Sequence, residues 1–76
     1  MAQVKDGVLL KKIALCIKQI RSKSNITLDD FYVDTGIHLA RIEQGKTNVS
    51  ITTLAVICFY FNISLKEFFS LVEKIN

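Results

Sequence analysis

Helix-start signals recur along this chain at spacings that leave room for little besides short helices. Asp6, Thr27, Ser50 and Ser64 are small polar residues, each standing just before a run whose apolar positions return at intervals of three and four. Two of them are answered three residues on, Thr27 by Asp30 and Ser64 by Glu67, the capping-box pattern in which side chain and backbone satisfy each other's free N–H groups. Stops are marked as clearly, by Asp34-Thr35-Gly36, by Gly45 and by Asn62. A chain punctuated in this way reads as all-α, a compact five-helix domain.

The segments follow in order. Residues 1 to 7 are polar and mixed, and the first few are expected to fray. A first helix starts near Gly7 or Val8 and runs to about Arg21 or Ser22. Its inward face is Leu9, Leu10, Ile13, Cys16, Ile17 and Ile20, with Lys11, Lys12, Lys18 and Gln19 opposite. Val8 and Leu15 fall on the lysine side and do not fit that face. A short second helix from Thr27 turns Leu28, Phe31 and Tyr32 inward. Ser50 opens a fourth segment in which Ile51, Leu54, Ala55, Cys58 and Phe61 keep helical spacing. Val56, Ile57, Phe59 and Tyr60 are apolar as well, so content alone would also allow a buried strand. The distance from Ser50 to Asn62 and the lack of any partner strand decide for helix. Ser64 opens a fifth helix with Leu65, Phe68, Phe69 and Val72 inward.

With 76 residues, the chain fits one core and therefore a single domain, residues 1–76. Half of it is apolar and its formal net charge is +3, which favours an anionic partner. Cys16 and Cys58 lie in helical apolar patterns with no close-spaced partner, as expected of reduced thiols in a cytoplasmic protein. The longest apolar run, Leu54 to Phe61, falls far short of the roughly 20 residues of a membrane helix. The single histidine stands apart from both cysteines, and no glycine-rich phosphate loop or metal-ligand cluster is present. The reading is of a protein that is not an enzyme, with no cofactor, no metal site and no membrane partner.

Chemistry concentrates in residues 35 to 48. There Leu39 and Ile42 fall on one side of a short helix, and His38, Arg41 and Gln44 recur at every third position on the other. All three outward residues can read base edges: Arg as a fork to guanine O6 and N7, Gln to adenine N6 and N7, His as donor or acceptor. Gly45 ends the helix and leaves Lys46, Thr47 and Asn48 free to meet phosphates.

The stretches Ile20-Arg21, Ile26-Thr27, Arg41-Ile42-Glu43-Gln44-Gly45-Lys46-Thr47-Asn48-Val49-Ser50, Thr53-Leu54 and Ile63-Ser64-Leu65-Lys66-Glu67-Phe68-Phe69 resemble the XRE family of phage-repressor and Cro-like transcriptional regulators. The resemblance covers about residues 13 to 69. It implies a helix-turn-helix, with the helix around Arg41 as the recognition helix and double-stranded DNA, an inverted repeat, as the partner of a homodimer. It further implies backbone contacts from Thr27 and from Lys46 to Asn48, and an internal salt bridge between Arg21 and Glu43.

Three departures matter. The span from Thr27 to Gly45 is about one helical turn shorter than usual in that family, which leaves two starts open for the recognition helix: a cap at Thr35, or a Gly36-Ile37 turn with His38 as the cap. Leu28 stands where many relatives carry a phosphate-binding Gln, and Val49 replaces a common proline. Val8, Leu15, Val56, Phe59, Tyr60, Leu71 and Ile75 exceed what one small core can hold. Val56, Phe59, Tyr60, Leu71 and Ile75 are the expected dimer interface. The rival reading is an antitoxin-like or other protein-binding helix-turn-helix that spends this surface on an unknown protein partner.

Overall fold

The computed structural model describes residues 6–75, which form five helices: α1 (Gly7–Lys23), α2 (Leu28–Thr35), α3 (Leu39–Glu43), α4 (Ile51–Tyr60) and α5 (Leu65–Lys74). The expected fraying of the first residues falls mostly outside that range. No strand occurs among the described residues. No single helix there is long and apolar enough to cross a membrane; α4 and α5 together pass on composition only as a pair bent by 99°.

Each cap lies where the residue types demand. The Asp6 carboxylate accepts from the Leu9 N–H at 3.0 Å, and the Ser50 hydroxyl accepts from the Thr53 N–H at 3.1 Å. Thr27 with Asp30 and Ser64 with Glu67 form complete capping boxes. Asn62 takes a left-handed φ of 57°, which ends the α4 region and turns the chain toward α5. α1 extends to Lys23, a residue or two past its expected end, because the Ser24 N–H still bonds the Ile20 and Arg21 carbonyls.

Helix α1 packs on both α3 and α5, α2 on α3, and α4 on α5. The centre is Ile13, Cys16, Ile17, Phe31, Leu39, Leu54, Ile57, Cys58, Phe68 and Val72, and no polar residue is fully buried among the described residues. Phe31 and Phe68 are entirely covered, each contributing about 1.5–3 kcal/mol relative to exposure. Burial pushes both thiols above their ordinary pKa, Cys16 further helped by the nearby Cys58, so both sit as protonated apolar groups.

Four inward assignments are corrected. Leu9, Leu28 and Ile51 are exposed, and all three occupy the first turn of their helices. A helical side chain leans toward the N-terminus of its helix, so a first-turn residue on the apolar face reaches past the helix end, where neighbouring helices give less cover. Tyr32, also expected inward, is exposed, whereas Ile57 belongs to the core. Tyr60 and Ile75 are corrected in the opposite direction. Both are partly buried against the core, the Tyr60 ring meeting Phe31 edge-on at 4.7 Å while its hydroxyl donates to Asp34 at 2.6 Å. That hydrogen bond raises the phenol pKa above its ordinary value. Val56, Phe59 and Leu71 stay exposed, Phe59 at 87%.

Candidate nucleic-acid interface

Helix α3 is five residues long, well below the length at which a helix holds in water by itself. It exists because its neighbours fix both ends and its inner side. Leu39 is fully buried and Ile42 half-buried, which anchors the inner side in the core. Before it, α2 closes at Gly36 with φ 74°, and the Thr35 hydroxyl donates to the Phe31 carbonyl (2.8 Å) while accepting from the Ile37 N–H (3.1 Å). α2 therefore stays helical through Asp34 and Thr35, and the turn is compressed into Gly36-Ile37. Of the two possible starts, the second is the one formed: His38 holds the N-cap position, although its side chain makes no capping bond.

At the far end, Glu43 takes a bidentate pair from Arg21, Nε to Oε2 at 2.7 Å and Nη2 to Oε1 at 3.0 Å. Arg21 Nη1 also donates to the Ile26 carbonyl at 3.3 Å. One guanidinium thus ties α1 to α3 and to Ile26, the residue before the α2 cap. The two side chains are 17% and 9% exposed, and the hydrogen bond to Glu43 raises the Arg21 pKa further. Gly45, with φ 69°, then reverses the chain. A Cβ there would lie 3.1 Å from Lys11 Cα, so this glycine serves both the left-handed turn and a close approach to α1.

On the outer side His38, Arg41 and Gln44 are all exposed, as N-cap, helical residue and C-cap of α3. Lys46 and Thr47 are exposed in the following loop, while Asn48 is half-buried and engaged within the chain. Thr27 is exposed, but its oxygen accepts from the Asp30 N–H at 3.0 Å, and Asp29 and Asp30 carboxylates follow immediately. A phosphate at that point would face two negative charges.

Two features of the site escaped sequence reasoning. Tyr32 stacks on His38, centroids 4.4 Å apart and planes 28° from parallel, so the ring at the start of α3 is supported from α2. Lys11 and Lys18 line the cleft between α1 and the end of α3 together with Gln44 and Gly45. Their spacing of seven was visible in the sequence; which helix they flank was not.

A family model for the Cro/C1-type HTH DNA-binding domain matches residues 17–74, about three-quarters of the chain. No curated protein and no solved structure matches it.

Proposed function

We propose, because the chain belongs to the Cro/C1-type helix-turn-helix DNA-binding family, that it is a homodimeric, sequence-specific transcriptional regulator which inserts α3 into the major groove of an inverted repeat. The observation that carries this reading is the setting of Arg41. It is exposed mid-helix on a segment whose next two positions are fixed, Ile42 against the core and Glu43 by Arg21. A guanidinium on so fixed a base can make a fork to guanine with only side-chain freedom, not backbone freedom, left to lose. His38 and Gln44, exposed one turn to either side, are the neighbouring base readers, and Lys46 and Thr47 lie where phosphates flank the groove.

Dimerisation rests on Val56, Phe59 and Leu71, exposed apolar residues of α4 and α5. Tyr60 and Ile75, expected at the same interface, are partly buried against the core instead. Two copies related by a two-fold axis would present two α3 helices to half-sites about one helical turn of DNA apart.

Selection of bound duplexes from a random pool tests the reading, with an inverted repeat as the expected outcome. No enrichment would sink it. Gel filtration at micromolar concentration should give a dimer mass, reduced to monomer by Phe59→Ser. A wild-type monomer that folds normally would reassign Phe59 to a protein partner and favour a protein-binding module.

A further inference from the structure

Resting on the DNA-binding reading above, we propose that the phosphate backbone is gripped on the α1 side of α3, by Lys11 and Lys18 beside Lys46, and not at the start of α2. The first support is placement. Lys11, Leu15 and Lys18 stand at i, i+4 and i+7 of α1, on one face, and that face lines the cleft against Gln44 and Gly45. Gln44 also belongs to the exposed outer side of α3, so the two lysines flank the surface that meets base edges. Lys11 is set there by packing: its Cα and Cγ lie 3.1 and 3.2 Å from the position of a Cβ on Gly45. Its stem therefore passes beside the glycine that precedes Lys46, and the proposed grip assigns the two ammonium groups to neighbouring stretches of backbone.

The second support is charge. Between Gly7 and Lys23, α1 carries Lys11, Lys12, Lys18, Arg21 and Lys23 and no carboxylate. Over Leu28–Thr35, α2 carries Asp29, Asp30 and Asp34 and no cation. The one carboxylate in the α1–α3 cleft, Glu43, is neutralised by its bidentate pair with Arg21. A polyanion lying across α3 meets attraction on one flank and repulsion on the other, so the domain docks tipped toward α1. Leu28 adds no hydrogen-bond donor at the start of α2, and the Thr27 hydroxyl there stands beside the carboxylates of Asp29 and Asp30.

The test is titration of the full chain at several salt concentrations, on the selected duplex and on a scrambled one. Lys11→Gln and Lys18→Gln keep the stems and their packing while removing the charge; melting curves verify that both variants fold. Each is expected to lower the slope of log K against log salt by about 0.9 per monomer on both duplexes. The double variant should lower it by about twice that, and Lys66→Gln on α5 should leave it unchanged. Asp29→Asn should leave it unchanged too. Wild-type slopes in the Lys11 and Lys18 variants, with a reduced slope in Lys46→Ala, would overturn the α1 grip and leave DNA binding standing. A slope that steepens in Asp29→Asn would place a phosphate at α2 and overturn it as well. No binding to any duplex by the wild-type chain would overturn both the grip and the reading on which it rests.

Discussion

The two ends of α3 are held by different physics. Its C-terminal end is locked by a covered, bidentate ion pair and by a glycine pressed against α1. Its N-terminal end starts at an N-cap without a capping bond and is held by the buried Leu39 and by one exposed aromatic stack, Tyr32 on His38. The glycines framing it differ in the same way. Gly36 and Gly45 both have left-handed φ, but a Cβ on Gly36 meets nothing within 4 Å while one on Gly45 meets the backbone of Lys11. α3 is thus fixed at one end by an ion pair and a tight glycine, and at the other by a buried leucine and an aromatic stack.

The contrast is broken most directly at Glu43. Glu43→Ala strands the Arg21 guanidinium in a largely covered position, costing about 3 kcal/mol, closer to a broken buried pair than to a surface bridge. For a domain of this size the melting temperature should drop by roughly 15 °C. A fall of only a degree or two, seen by calorimetry, would mean that the pair is a surface ornament and that the C-terminal end is not locked.

Next in size is the glycine comparison. Gly36→Ala should cost about 1–2 kcal/mol, the price of a left-handed alanine alone. Gly45→Ala carries the same conformational cost plus a displacement of α1, so it should be the more destabilising of the two by urea denaturation. Equal losses would show that α1 yields freely and that Gly45 is needed only for its φ.

Arg41→Ala probes reading instead of folding. It should cost about 1–3 kcal/mol on the selected duplex, relax preference at one base pair per half-site, and leave scrambled duplexes nearly unaffected. Tyr32→Ala should weaken preference only at the base pair that His38 meets, with Tyr32→Phe restoring it. Were Arg41→Ala to weaken both duplexes alike, Arg41 would be a phosphate contact.

The smallest effect lies at the joint between α2 and α4. The phenol of Tyr60 has a raised pKa because it donates to Asp34. Its contribution is therefore fully present below the ordinary tyrosine value of about 10 and is lost as pH rises through the higher folded value. Tyr60→Phe should flatten that part of the alkaline stability profile. An identical profile in the variant would mean that the bond to Asp34 is not held in solution.

Much of this architecture is legible in the residues because its determinants are local. Caps at Asp6, Thr27, Ser50 and Ser64 act within one turn, and the apolar spacing that buries Leu10, Ile13, Cys16, Ile17, Leu54, Cys58, Phe68 and Val72 is a property of each helix by itself. The family match over residues 17–74 agrees with the repressor-like reading drawn from residues 13 to 69. Periodicity failed at Leu9, Leu28 and Ile51 because it describes an endless helix and takes no account of first turns. It failed at Tyr60 and Ile75 for the converse reason, since a residue off the apolar stripe can still be covered by another helix.

The sequence by itself therefore determined the helices, most core positions of α1, α4 and α5, and the identity of the outward side chains at 38, 41 and 44, all set by contacts within a few residues. Tertiary structure decided where α3 begins, because Leu39 packs into the core while the Thr35 hydroxyl closes the turn between Phe31 and Ile37. It also decided that Lys11 and Lys18 border Gln44, and that Tyr32 supports His38. Those are meetings between helices, fixed by the angles at which the helices pack, and no spacing along one chain segment encodes such an angle.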